Sequence, residues 1–212
     1  MNLADIRSDY RRGQLRREDL TSDPIKMFGV WLADAVKAAV TEPTAMSLAT
    51  VGADGCPLVR TVLLKGVDEN GFRFFTNLES RKGKQIQENA AVSLLFPWLA
   101  LERQVIVTGH AIRLPDADAV AYFHSRPRDS QIAAWASRQS TAIVSREILE
   151  QEWEAIQQRF GEGEIPLPPY WGGFTVVPRT VEFWQGGANR LHDRFEYSRL
   201  PDNSWTISRL SP

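Results

Sequence analysis

Between residues 44 and 113 the chain reads "TAMSLATV", "PLVRTVLLKGV", "GFRFFTN", "AVSLLFPW" and "RQVIVTGHAIRL". These segments are rich in β-branched and aromatic residues. They are parted by the turns "GADG" and "DENG" and by one short helical piece, "SRKGKQIQEN". Closely spaced strands joined by hairpin turns favour an antiparallel barrel or sandwich over a parallel α/β sheet. Strand patterns return at the end in "FTVVP", "TVEFWQ", "RFEYSR" and "SWTISRL", so one sheet is completed late in the chain.

Helical periodicity surrounds this framework. In "SDPIKMFGVWLADAVKAAV", Ser22 or Asp23 caps a helix with Pro24 in its first turn, and Ile25, Phe28, Leu32, Ala35, Val36 and Ala39 share a face. "PDADAVAYFHS", "RPRDSQIAAWASRQS" and "SREILEQEWEAIQQRF" are also helical, and "GEGEIPLPPYWGG" is a loop. The expected fold is mainly β with peripheral α-helices (α+β). Residues 21–212 form a single domain, preceded by a polar, arginine-rich arm over residues 1–20 that is mobile or partner-dependent.

The 212 residues, 43% of them hydrophobic, suffice for one sizeable core. A net charge of −1 gives no global reason to expect nucleic acid or an acidic membrane as partner. The N-terminus lacks the apolar core of a signal peptide, and the run "AVSLLFPWLAL" is too short to span a bilayer, so the expected location is cytoplasmic. Cys56 is the single cysteine, which excludes an intramolecular disulfide. Three scattered histidines with no Cys/His spacing argue against a structural metal site.

Four stretches carry candidate chemistry. In "LVRTVLLK", strand alternation puts Val59, Thr61, Leu63 and Lys65 on one face and Arg60, Val62 and Leu64 on the other, either as snorkelling strand ends or as contacts to two anions. In "FFTNLESRKGKQ" a helix begins near Ser80 with Arg81, Lys82 and Lys84 in its first turn. Cations are disfavoured there unless an anion covers the free N–H groups. In "YFHSRPRDSQ", Tyr122 and Arg126 are four apart on a helix and Ser130 follows Pro127, a set suited to phosphate. His124 has no second metal-binding side chain at usable spacing. "SRQST" adds an amide and hydroxyls, and Gln104 sits in an otherwise apolar strand where it needs a polar partner such as a heterocycle edge. Neither a P-loop nor a G-x-G-x-x-G motif is present. Together these suggest two phosphate-sized anion sites and a flat polar heterocycle, which fits a phosphorylated cofactor beside a phosphorylated substrate.

The fourth stretch is "WQGGANRLHDRF", where Gly186-Gly187 makes a turn and Arg190 and His192 fall on one side with Leu191 on the other. With "FFTNLESRKGKQI", "SLLFPW", "LERQV", "YFHSRPRDSQI", "SRQS" and "WGGF" it closely resembles the pyridoxamine 5′-phosphate oxidase family, motif after motif and in order, from about Ile6 to the terminal "RLSP". The resemblance implies an FMN-binding split β-barrel, working as a homodimer with flavin in a cleft between subunits. It implies oxidation of pyridoxamine or pyridoxine 5′-phosphate by O2 to pyridoxal 5′-phosphate, with H2O2 released, and ammonia when the substrate is the amine. By matching motif, Arg60, Arg81, Lys82 and Ser140 meet the FMN phosphate, while Val62, Leu63, Phe75, Thr76, Gln104, Gln139, Trp184 and Arg194 line the rest of the flavin. Lys65, Tyr122, Arg126 and Ser130 hold the substrate phosphate. Arg190 lies over the reacting carbon, His192 contacts the ring substituents, and Arg7 and Tyr10 of the arm cover the substrate. Asp193 is read either as part of this site or as the partner of a neighbouring arginine.

The expected chemistry is hydride transfer from substrate C4′ to flavin N5, with protein cations binding and orienting. Two other readings stay open: another split-barrel flavin enzyme such as a flavin reductase, which has no use for the second phosphate set, and a non-catalytic carrier of FMN or pyridoxal phosphate. The cluster Arg11, Arg12, Arg16 and Arg17 is a candidate for a second phosphate, such as product, on charge alone.

Overall fold

The structure, a computed structural model, describes residues 2–3 and 9–212. A helix, α1 (Pro24–Lys37), precedes β1 (Ala45–Val51), β2 (Pro57–Leu63), β3 (Gly66–Asp68), β4 (Gly71–Asn77), α2 (Arg81–Glu88), β5 (Ala91–Trp98) and β6 (Arg103–Arg113). Three helices follow, α3 (Asp116–Ser125), α4 (Arg128–Ala136) and α5 (Arg146–Phe160), and then β7 (Trp171–Gln185), β8 (Asp193–Arg199) and β9 (Trp205–Leu210). Every strand pairing is antiparallel, in the order β2-β1-β5-β6-β7-β4-β3, with β8 on β7 and β9 on β8. The sheet curls into a half-barrel, as the strand spacing predicts.

β7 organises the whole sheet. "FTVVP" and "TVEFWQ", read from sequence as separate strands, are one 15-residue strand running through Pro178. β6 follows it along its length, whereas its other edge pairs first with β4, from Trp171 to Val176, and then with β8, from Thr180 to Gln185. Pro178 sits at this change of partner, where the missing proline N–H breaks no ladder. Opposite it the register shifts between Thr108 and Gly109, and any Cβ on Gly109 would collide with the Val177 carbonyl.

The barrel side of the sheet is filled by aromatic rings. Phe28 of α1 meets Phe72, Phe96 and Trp98 at centroid distances of 4.9, 4.8 and 5.7 Å, and Trp31 meets Phe183 at 5.1 Å. Burying rings of this size contributes about 1.5–3 kcal/mol each. Asp23 caps α1 by accepting from the Ile25 N–H at 2.8 Å. The buried face of α1 is rotated from the expected one: Pro24, Met27, Phe28, Trp31 and Ala35 point inward, while Val36 is 59% exposed. The bulky Met27 and Trp31 fill the barrel better than the smaller Val36, and Ala39 lies past the helix end at φ 51°.

Other boundaries also differ from expectation. "PLVRTVLLKGV" breaks into β2 and β3, so Lys65 stands beyond the end of β2, its N–H bonded to the Arg73 carbonyl at 2.8 Å. The helix expected to run through "SRQS" stops at Ala136, and residues 137–145 form a loop beside the cleft. A second apolar cluster, built on Phe123, Ile132, Ile165 and Trp171, joins α3 and α4 to the start of β7.

Residues 9–20 are tied down at several points. Glu102 Oε2 accepts from the backbone N–H groups of Arg11 and Arg12 at 2.8 and 2.9 Å, and Asp193 Oδ2 accepts from Leu15 N–H at 3.0 Å. Leu15 is buried and Tyr10 is half-buried. Among the described residues no helix is long and apolar enough to cross a membrane.

Candidate active site

A cleft of about 340 Å³ opens between the end of β2, the end of β4 and the α3–α4 helical layer. Val62, Leu63 and Lys65 line one wall, and Phe75 and Thr76 line the next, with Lys82 of α2 beside them. Tyr122, Arg126 and Gln139 close the far side. Nine residues singled out from sequence are thus gathered in one place. Thr61, Asn77, Ala133, Ala134, Ser137 and Trp171 line the cleft too, without having been singled out; for Trp171 the signal was its place in "WGGF".

Aromatic stacking shapes the floor. Phe75 stacks on Tyr122 at 4.1 Å and on Trp171 at 5.5 Å, with interplanar angles of 15° and 5°. Gly173 permits this, because a Cβ there would press to 2.6 Å from the Phe75 ring and 2.7 Å from Leu114. The Arg126 guanidinium sits 5.0 Å from the centre of the Trp171 ring. Arg126 follows the last residue of α3 in extended conformation, so Tyr122 and Arg126 converge across a helix end rather than along a helix face.

The charges of this cleft are uncompensated. Arg194, Arg103, Arg73, Arg113 and Arg209 each meet a carboxylate, whereas among the described residues no carboxylate pairs with Arg60, Lys65, Arg81, Lys82 or Arg126. Lys82 Nζ donates only to neutral oxygens, Thr76 Oγ1 at 3.1 Å and Gln139 Oε1 at 3.0 Å. Burial, and then the charge of Arg60, lower the Lys82 pKa; burial, and then Arg81, lower that of Arg60. Arg126 is lowered by burial, against an opposing contribution from Tyr122, and its Nη1 is buried with no hydrogen-bond partner. Buried cations without partners are costly, and a bound anion is what would relieve them. The residues therefore fit a ligand carrying phosphate.

Near this cleft, Arg60 is close enough to Lys82 and to Arg81 for their charges to oppose one another, and Ser140 follows Gln139 in the left-handed region at φ 71°. Ser130 lies in the first turn of α4, half-buried, its N–H on the Pro127 carbonyl. Neither Ser130 nor Ser140 lines the cleft of this chain.

The remaining predicted residues form a separate group. Gln104, Trp184 and Arg194 are consecutive cross-strand neighbours on β6, β7 and β8. Tyr10 meets the edges of Trp184 and His192 at 5.6 and 5.7 Å, and His192 lies 4.7 Å from Trp184. The Gly187 N–H donates to His192 Nδ1 at 3.1 Å, and a Cβ on Gly186 would strike the Tyr10 ring. This N–H fixes Nδ1 as an acceptor in the neutral ring. Asn189 and Arg190 both have positive φ, 55° and 62°, so "NRLH" is a tight turn and not the extended segment expected. Such backbone is rare for arginine and is seen where surroundings enforce it. Asp193 accepts from Arg209 and from the Leu15 N–H, which makes it the anchor of an arginine and of the arm. Arg7 lies outside the described residues.

The two groups occupy opposite ends of β7. Trp171 belongs to the cleft and Trp184 to the second group, about 40 Å apart along the strand. Within one chain, none of the residues of "WQGGANRLHDRF" lines the cleft. Among the described residues no group of three or more His, Cys, Asp or Glu side chains could hold a metal ion.

An antiparallel half-barrel with an uncompensated cationic cleft beside stacked aromatics defines a split-barrel protein built for a phosphorylated aromatic ligand. Residues 32–160 match the family model for pyridoxamine 5′-phosphate oxidase, and residues 171–212 match that for the pyridoxine 5′-phosphate oxidase C-terminal dimerisation region. The chain is 53% identical to pyridoxine/pyridoxamine 5′-phosphate oxidase of Vibrio parahaemolyticus over the full length of both, and 55% identical to that of Escherichia fergusonii over 99% of this chain and 96% of the relative. The solved structure of PhzG from Burkholderia lata 383 in complex with tetrahydrophenazine-1-carboxylic acid superposes with a TM-score of 0.88, at 32% identity over 93% of this chain and 98% of that one. This chain belongs to the pyridoxamine 5′-phosphate oxidase family.

Proposed function

We propose that this protein oxidises pyridoxamine 5′-phosphate or pyridoxine 5′-phosphate to pyridoxal 5′-phosphate with FMN as cofactor. O2 takes up the electrons as H2O2; the amine additionally consumes water and releases ammonia. The observation that carries this reading is the set of cations without a carboxylate partner at one cleft: Lys65, Lys82 and Arg126 line it, and Arg60 and Arg81 add their charge beside Lys82. One phosphorylated ligand leaves part of this charge unused, whereas a phosphorylated flavin beside a phosphorylated substrate uses all of it. The names of the full-length relatives support the same substrates.

In this reading Arg60, Arg81, Lys82 and Ser140 hold the FMN phosphate, and Val62, Leu63, Phe75, Thr76 and Gln139 receive the rest of the flavin. When bound, FMN supplies the two-electron acceptor. Lys65, Tyr122, Arg126 and Ser130 fix the substrate phosphate and so orient the ring. Gln104, Trp184, Arg190, His192 and Arg194 act from a second copy of the chain, with Tyr10 and Arg7 of the arm over the substrate. Their separation along β7 and the match of residues 171–212 to a dimerisation region support a homodimer with a composite site.

The test is the absorbance of the flavin-loaded protein at about 450 nm. Under anaerobic conditions pyridoxine 5′-phosphate is expected to bleach it, and admitting air to restore the colour with formation of pyridoxal 5′-phosphate. A flavin that ignores the substrate but is rapidly bleached by NADH would overturn the reading in favour of a flavin reductase, and a flavin inert to both in favour of a carrier.

A further inference from the structure

Arg60 is aimed by neutral groups alone. Its Nη1 donates to the Leu48 carbonyl at 3.0 Å and to Thr50 Oγ1 at 2.6 Å; the Thr50 hydroxyl in turn donates to Gln85 Oε1 at 2.6 Å. Arg60 Nη2 also faces Gln85 Oε1, at 3.5 Å. Thr50 is wholly buried and Gln85 is 8% exposed, so this is an interior cradle, built from β1 below and α2 beside. With both donors facing it, the Gln85 atom toward Arg60 must be the amide oxygen.

The choice of glutamine is informative. A glutamate fits the same space and would give Arg60 a carboxylate, as Glu182 does for Arg194 and Asp34 for Arg103. Position 85 offers instead an acceptor of equal shape and no charge. We propose that Gln85, with Thr50, is the specificity element of this site: it orients the Arg60 guanidinium without neutralising it and so reserves that charge for the phosphate ester of a flavin over the uncharged flavin alcohol. This rests on the flavin reading above and names the residues that set its selectivity. The lowered pKa values of Arg60 and Lys82 agree with a cluster held short of counter-charge.

Gln85 and Thr50 are positioning residues, since they act through Arg60. The test compares dissociation constants of FMN and riboflavin, read from flavin fluorescence on the full-length protein freed of flavin. In Gln85→Glu the preference for FMN over riboflavin is expected to fall about tenfold or more, through FMN alone, with riboflavin binding unchanged within about threefold. Gln85→Met, which keeps neutrality and bulk but removes the acceptor, is expected to lose less of the preference than Gln85→Glu, because the Leu48 carbonyl and Thr50 still hold Arg60 Nη1. Arg60→Gln, which removes the charge rather than pairing it, must show the same selective loss of FMN.

A Gln85→Glu protein with the wild-type preference, or a Gln85→Met protein that loses as much as Gln85→Glu, overturns the proposal. Equal losses of FMN and riboflavin in Arg60→Gln overturn it without reference to position 85. A wild-type protein that binds FMN no better than riboflavin removes the phosphate site itself and this proposal with it. A wild type that discriminates, beside an equally discriminating Gln85→Glu variant, removes the cradle and leaves the flavin reading intact.

Discussion

The Arg194 guanidinium meets the Glu182 carboxylate through two hydrogen bonds, Nε to Oε1 at 2.8 Å and Nη2 to Oε2 at 3.1 Å, across the β7–β8 pair. Glu182 is 8% exposed, and Arg194 Nη1 reaches the Ser211 carbonyl at 2.8 Å, so the planar fork is held on both sides. Glu182→Gln removes the charge and one acceptor while keeping the shape. It is expected to lower stability by about 1–3 kcal/mol. Denaturant unfolding checks this, and an unchanged midpoint would show that Arg194 needs no such support.

Arg126 has the opposite surroundings, aromatic rings and an unpartnered Nη1. Arg126→Met keeps the packing on Trp171 and deletes the charge. Losing a charge-assisted contact to the substrate phosphate is expected to raise KM about 10- to 100-fold, with flavin affinity unchanged. Equal KM values for wild type and variant would place the substrate phosphate elsewhere.

Lys82 links the site to pH. Its folded-state pKa is lowered by burial and then by Arg60, so between that value and the unfolded one the unfolded chain binds more protons. The flavin-free protein therefore gains stability as pH rises through this alkaline window. A bound phosphate favours the charged lysine, so flavin affinity falls over the same rise. Fluorescence titration across alkaline pH reads this loss, and Lys82→Arg, which does not titrate there, is expected to remove it.

Tyr197 acts in the other direction. It is fully buried, its hydroxyl donates to the Thr21 carbonyl at 2.7 Å, and burial is the main cause of its pKa being pushed up to about 12 from 10.0. Its contribution to stability is complete below the unfolded value of 10.0 and is lost as pH rises toward about 12, where the unfolded tyrosine is already ionised. Tyr197→Phe is expected to lower stability by about 1 kcal/mol at neutral pH and to flatten alkaline unfolding above pH 10.0. An unchanged alkaline limb would assign that transition to other groups.

The proposed composite site predicts complementation between defective chains. An Arg126→Ala protein and an Arg190→Ala protein are each expected to be nearly inactive. Mixed under conditions that exchange subunits, they should recover about a quarter of wild-type activity, since half of the dimers then carry one intact site. Recovery absent despite demonstrated exchange would mean that one chain supplies both residues.

Local chemistry made much of this protein legible. "GFRFFTN" and "AVSLLFPW" are β4 and β5 residue for residue, because alternation and bounding turns are contained in the segments themselves. The Asp23 cap and Pro24 start of α1 depend only on neighbours within one turn. Lys82 stood out because a helix N-terminus disfavours a cation, Arg60 as one of two cations on opposite faces of an apolar strand, and Arg126 as a member of a set with Tyr122 and Ser130.

What sequence alone did not decide is whatever depends on residues far apart in the chain. The inward face of α1 was settled by the space the barrel leaves for Met27 and Trp31. The union of two strands through Pro178 required β4 and β8 to share one edge of β7. The neutral cradle joins residues 48, 50, 60 and 85, and the arm is anchored by Glu102, a position with no signature of its own, and by Asp193, whose tie to the arm no local pattern announced. The sequence by itself determined the strands, the caps and the excess of cations, since these follow from short-range sterics and charge. The tertiary structure alone decided which cations lack a counter-charge and which end of β7 each faces, since pairing depends on distances that only folding creates.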